Sequence, residues 1–146
     1  MNSSADVSGF AYTVSAQAHY DAAHYLEHYE GKCSRVHGHR YVVEAAVQAT
    51  ELDESGIAFD FTDLKRALRE LADRLDHELL NDLPEFAELE TSAENQARWF
   101  YEELQARLPE ELADGLLYAR IWETPNQWAQ YGPAGAPLPS PASPGV

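Results

Sequence analysis

Two long runs of alternating apolar and polar residues set the terms for any fold of this chain. From Phe10 the even positions read Phe10, Tyr12, Val14, Ala16, Ala18, Tyr20 and Ala22, while Thr13, Ser15, Gln17, His19 and Asp21 lie between them. From His37 to Ala49 the odd positions read His37, His39, Tyr41, Val43, Ala45, Val47 and Ala49, against Gly38, Arg40, Val42, Glu44, Ala46 and Gln48. A period of two sends successive side chains to opposite faces of an extended backbone, so each run predicts a half-buried strand. Continued to its end, the first strand places His24 on its apolar face. The second begins with His37 and His39 on its own.

The next segment changes period. Leu64, Ala67, Leu68, Leu71 and Leu75 form one stripe of an amphipathic helix expected over Phe61 to Leu80, with Arg66, Arg69, Glu70 and Asp73 turned away. Thr91 and Glu94 fit a capping box opening a second helix, which runs through Ala97, Phe100, Tyr101 and Leu104 to Leu108, before Pro109. Strand character returns from Leu116 to Thr124, with Leu117, Ala119, Ile121 and Glu123 on one face and Tyr118, Arg120 and Trp122 on the other. Trp128 to Tyr131 gives a short last strand. The order predicts an α+β fold, a mostly antiparallel sheet with two helices on one face. The domain is expected over residues 10–131, after a flexible N-terminus (1–9) and before a Pro-rich tail (132–146) whose composition favours disorder.

Ten Lys and Arg against 25 Asp and Glu give a net charge of −15, which excludes a general binder of nucleic acid or of anionic membranes. One cysteine, Cys33, excludes an internal disulfide framework and a thiolate-rich zinc site. No apolar run approaches the roughly 20 residues of a membrane span, and Met1 to Gly9 lacks the features of a secretion signal, so a soluble, cytoplasmic protein is expected.

Two histidines at i and i+2 of a strand project to one side, and His37-Gly38-His39 supplies such a pair. A third imidazole from another strand completes a three-His site with an open position, suited to Zn2+ and to polarising a substrate oxygen. His24 is preferred over His19 and His28 because it shares the apolar face. The competing reading is a surface turn with two solvated imidazoles. Cys33 stands four residues before His37, in a stretch from Gly31 to Val43 that holds Lys32, Arg35 and Arg40 and no acid. Cations and a metal favour the thiolate as base or nucleophile, although a lone cysteine also serves as a small buried hydrophobe. Lys32 and Arg35 suit a phosphate-bearing substrate or stand as solvated charges. Asp76-His77 pairs a carboxylate with an imidazole, but adjacent helical residues point about 100° apart, so the two act together only if the helix frays there. Glu123 on an apolar strand face calls for a partner such as a ligand's N–H groups. Glu94 is divided between capping and ligand contact. A cupin-like metal oxygenase or isomerase is a further reading, since Gly31-x5-His37-x-His39-x4-Glu44 fits the first cupin motif; no histidine follows His77 to supply the second, and two helices fit a jelly roll poorly. A structural zinc with Cys33 as fourth ligand is another.

The stretches Tyr-Asp-Ala-Ala-His-Tyr-Leu (20–26), Gly-Lys-Cys-Ser-Arg-Val-His-Gly-His (31–39), Asp-Phe-Thr-Asp-Leu-Lys (60–65), Leu-Asp-His-Glu-Leu-Leu-Asn (75–81), Ser-Ala-Glu-Asn (92–95) and Trp-Glu-Thr-Pro (122–125) occur here in the order of a known family. The chain resembles the 6-pyruvoyl-tetrahydropterin synthase superfamily, and within it the bacterial 6-carboxy-5,6,7,8-tetrahydropterin synthase branch of the queuosine pathway. That resemblance implies a T-fold whose subunits join sheets into an oligomeric β-barrel, a hexamer with sites at subunit interfaces. It implies Zn2+ on His24, His37 and His39, Cys33 as catalytic thiol, Asp76 with His77 as proton relay, and Glu123, seconded by Glu94, as anchor of the pterin ring. The implied enzyme is a carbon–carbon lyase converting 7,8-dihydroneopterin triphosphate to 6-carboxytetrahydropterin, acetaldehyde and triphosphate, with 6-pyruvoyl-tetrahydropterin synthase as the alternative. The spacing Cys33-x3-His37 resembles the carboxy-forming branch. Thr91-Ser92 stands where the family often has Pro-Thr.

Overall fold

The alternating runs build the longest elements of the structure, a computed structural model that describes residues 9–139. Strands β1 (Tyr12–His24) and β2 (His37–Ala49) pair antiparallel over their full length, from Tyr12 opposite Ala49 to His24 opposite His37. Strand β3 (Leu116–Thr124) pairs antiparallel with β2, and β4 (Gln127–Tyr131) with β3, giving a four-stranded sheet in the order β1-β2-β3-β4. Helices α1 (Phe61–Leu75), α2 (Ala93–Arg107) and the single turn α3 (Glu110–Ala113) fill the connection from β2 to β3. Helix α1 lies over β1, and α2 over β3 and β4. Tyr20, Tyr41, Val43, Ala45, Ala119 and Ile121 of the sheet are wholly buried against Leu64, Leu68, Leu75, Phe100 and Leu104 of the helices. Each of the larger apolar side chains among them contributes about 1.5–3 kcal/mol on leaving water.

Several boundaries differ from those expected. Strand β1 starts at Tyr12 rather than Phe10, which is 82% exposed. Helix α1, capped by the Asp60 carboxylate accepting from the Thr62 N–H, stops at Leu75 and not Leu80: Asp76 is extended and His77 takes φ 61°. The cap of α2 is Ser92, whose hydroxyl accepts from the Asn95 N–H, so Thr91 lies outside the helix. Glu94 is then an exposed residue of the first turn, favoured by the helix dipole, and no capping box forms with Thr91. In β3 the register slips, with Leu116 opposite Val47 and Tyr118 opposite Ala46, so Leu116 takes the buried place expected of Leu117.

The helix-free face of the sheet carries a polar cluster absent from the sequence reading. Arg120, 3% exposed, donates to Glu44, to Gln130 and to the Pro137 carbonyl, while the Glu44 carboxylate also accepts from Tyr118 and Trp122. Gln130 donates to the same Pro137 carbonyl. The Pro-rich segment therefore reaches back to the sheet at Pro137, where no contact was expected. Residues 1–8 and 140–146, the rest of the expected N-terminus and tail, lie outside the described residues.

Candidate metal centre and the groups around it

The parity of β1 and β2 brings His24, His37 and His39 to one end of the helix-covered face, where one ring nitrogen from each lies within 4.8 Å of the others. The Nδ1 of His24 stands 2.7 Å from the Thr91 carbonyl, and the Nδ1 of His37 stands 2.7 Å from the Arg35 carbonyl. A carbonyl only accepts, so both Nδ1 atoms carry hydrogen and both Nε2 atoms present lone pairs. Those two Nε2 atoms are 3.1 Å apart. Neutral rings held so repel unless a cation lies between them. The separation suits two ligands each about 2.0–2.1 Å from a tetrahedral ion, which stand about 3.3 Å apart. Burial holds the His24 and His39 pKa values below the usual imidazole range, which keeps the neutral, ligating form available.

A buried chain of contacts fixes the His24 ring. The Thr91 carbonyl that accepts from His24 also accepts from Gln96 Nε2, and Gln96 Oε1 accepts from the Tyr20 hydroxyl at 2.6 Å. Gln96 escaped the sequence reading, which took Thr91 as a helix cap; the available signal was a glutamine one turn before Phe100 on the apolar side of α2. The Tyr41 ring stands edge-on to His24 and His39, and its hydroxyl is the one buried side-chain polar atom without a hydrogen-bond partner among the described residues.

Glu123 comes to the same place from β3. Its Oε2 is 3.7 Å from Nε2 of both His24 and His39, beyond direct hydrogen bonding, and the residue is 26% exposed. Cys33 lies in a single 3-10 turn, Lys32–Ser34, opened by Gly31 at φ 137°, which a side chain resists. The thiol is partly exposed and is not among the converging ligand atoms. Lys32 and Arg35 are exposed on this loop.

Asp76 and His77 stand elsewhere. The break in α1 lets the two side chains meet, with Asp76 Oδ2 2.8 Å from His77 Nδ1, and Asp76 Oδ1 accepts from the Asp21 N–H of β1. The Asp76 carboxylate raises the His77 pKa, and the Asp21 N–H together with His77 lowers that of Asp76. His77 lines an open cavity of about 540 Å³ with Asp21, Ala22, Ala23, Gly38, His39 and Arg40. Asp21, Ala23, Gly38 and Arg40 are out of phase with His24, His37 and His39 along their strands, while His39 itself borders the cavity. Glu44 faces away from the trio, held by Tyr118, Arg120 and Trp122, which removes the cupin reading. His19 is exposed on the helix-free side, and His28 is exposed and paired with Glu90.

Residues 13–134 match the profile of the 6-pyruvoyl tetrahydropterin synthase family. The chain belongs to that family. A relative from Synechocystis sp. named 6-carboxy-5,6,7,8-tetrahydropterin synthase is 36% identical over 126 residues, covering 82% of this chain and 92% of its own. Its namesake from Bacillus subtilis is 32% identical over 130 residues, covering 85% and 87%. The solved structure of Caenorhabditis elegans 6-pyruvoyl tetrahydropterin synthase matches with a TM-score of 0.75 at 27% identity, over 85% of this chain and 96% of that one. The fold is the T-fold of this family, and the chain is an enzyme of its lyase type. Among the described residues no helix is long and apolar enough to cross a membrane.

Proposed function

We propose that this chain is a zinc-dependent 6-carboxy-5,6,7,8-tetrahydropterin synthase of queuosine (7-deazapurine) biosynthesis. It takes 7,8-dihydroneopterin triphosphate to 6-carboxytetrahydropterin, acetaldehyde and triphosphate. The observation that carries this reading is the imidazole trio, with two Nε2 lone pairs facing at 3.1 Å, in a chain whose relatives bear that enzyme's name. Three neutral histidines with an open position suit Zn2+, which when bound supplies Lewis acidity toward a substrate oxygen. Thr91 and Arg35 hold the rings of His24 and His37 through their carbonyls.

Cys33 supplies the sulfur group that takes and returns a proton, on an exposed loop that also carries Lys32 and Arg35. His77 has Nδ1 engaged by Asp76 and its Nε2 free, an imidazole oriented to accept or return a proton. Glu123 accepts from the pterin N–H groups, with Glu94 as a second contact. The enzyme acts as a homo-oligomer, a hexamer, with each site between subunits. A working thiolate suits a reducing compartment, the cytoplasm.

The solved relative named for the pyruvoyl product keeps a second reading in view, elimination of triphosphate to 6-pyruvoyl-tetrahydropterin. Incubating the zinc-loaded protein with 7,8-dihydroneopterin triphosphate and weighing the products separates the two. 6-Carboxytetrahydropterin with acetaldehyde is the expected result. The pyruvoyl compound without acetaldehyde selects the second reading, and unchanged substrate overturns both.

A further inference from the structure

In a chain with ten cations and 25 acids, a concave surface with several cations and no acid is uncommon. One lies on the helix-free side of the sheet, where β1 and β2 meet the edge of α1. Gln17 and His19, Arg40 and Val42, and Lys65 and Arg69 line a groove of about 370 Å³ whose lining includes no acidic residue. Lys65 and Arg69 are exposed, four residues apart on α1 and so on one side of it, and neither makes an ion pair among the described residues. The neighbouring Arg66 is by contrast bound to Asp63. Arg40 gives Nε and Nη2 to the Asp21 carboxylate and keeps Nη1 for another acceptor. It also lines the cavity that holds His77, so groove and cavity meet at Arg40.

We propose that this groove binds a polyphosphate chain. Two unpaired cations on one side of a helix, a guanidinium with a free amino group and a neighbouring imidazole match successive charges along such a chain, and a point charge on a flexible stem beside a planar fork is a common phosphate-binding pair. In so acidic a protein, a local positive groove also draws a polyanion to it. The ligand follows from the pterin-synthase reading, on which this proposal rests: the triphosphate tail of the substrate runs past Arg40 to Lys65 and Arg69 while its other end lies by His77. Lys32 and Arg35, on the loop before β2, are the competing location.

The test uses inorganic triphosphate and the full-length, zinc-loaded protein, with binding followed by calorimetry at two salt concentrations. The Lys65→Gln/Arg69→Gln protein should bind roughly 10- to 100-fold more weakly, about one to two decades for the loss of two charged contacts, with a shallower salt dependence. Metal content and oligomer mass report that it has folded, and the two single variants, each with a smaller loss, replace the double one if it has not. Unchanged affinity in these proteins, with a loss in Lys32→Gln/Arg35→Gln instead, overturns the proposal. Failure of the pterin reading looks different: inorganic triphosphate still binds through Lys65 and Arg69, but dihydroneopterin triphosphate gives no product. If that substrate is turned over by Lys65→Gln/Arg69→Gln with an unchanged KM, the groove is not where its tail binds.

Discussion

Glu123 stands 3.7 Å from two imidazole nitrogens and is nevertheless partly open to solvent, a position from which a carboxylate can serve either an ion or an organic ligand. The two roles separate on substitution. As the pterin anchor, Glu123→Gln keeps full zinc and loses about 1.5–3 kcal/mol of substrate affinity, the worth of a hydrogen bond to a charged group, or roughly 10- to 150-fold. Zinc analysis and substrate titration on one preparation check this, and loss of metal there would make Glu123 a ligand instead. His39→Ala should lose the metal, because two imidazoles do not hold zinc as three do. Cys33→Ala should keep it while turnover collapses, since the thiol lies apart from the converging nitrogens. Retention of full zinc by His39→Ala would contradict the assignment of the trio.

At the level of elements, the two long strands were legible because burial on one face writes a period of two into the sequence, and that same parity brought His24, His37 and His39 together. What parity cannot show is a place where it breaks. The bulge at Leu117 exchanges Leu116 for its neighbour in the core, and both leucines are equally apolar, so the sequence carries no sign of it. The end of α1 was missed for a related reason: Leu79 and Leu80 continue the apolar pattern, yet His77 leaves the helix at positive φ and its N–H bonds to the Asp21 carbonyl of β1. Long-range pairs such as Arg120 with Glu44 lie 76 residues apart and are invisible to any local pattern. The tail is a case where composition pointed one way and a contact the other. Removing the chain after Gly132 leaves Arg120 Nη2 and Gln130 Nε2 without the Pro137 carbonyl. The truncated protein should keep zinc and turnover but lose about 1–2 kcal/mol of stability, the net worth of such bonds, visible in a denaturant titration as a lower midpoint at unchanged slope. An unchanged midpoint would show that water replaces Pro137 at no cost.

On the scale of the whole molecule, the groups proposed for the reaction fall into two sets on one chain. The imidazoles, Glu123 and the Cys33 loop belong to the end where β1 runs into β2, and Asp76 with His77 is tied to the outer edge of β1 and looks toward Arg40. Proton transfer requires groups within hydrogen-bond reach of a common ligand, and in the proposed assembly His77 of one subunit meets the metal-bearing end of another. The direct measurement is complementation between two inactive proteins. Cys33→Ala and His77→Ala are prepared separately, dissociated, mixed in equal amounts and reassembled, and turnover of 7,8-dihydroneopterin triphosphate is followed. Sites shared between subunits should regain about a quarter of the unaltered activity, the share of interfaces that receive both intact residues by random assortment in a symmetric oligomer. A mixture that stays as inactive as its two components would contradict a centre built from Cys33 of one subunit and His77 of another.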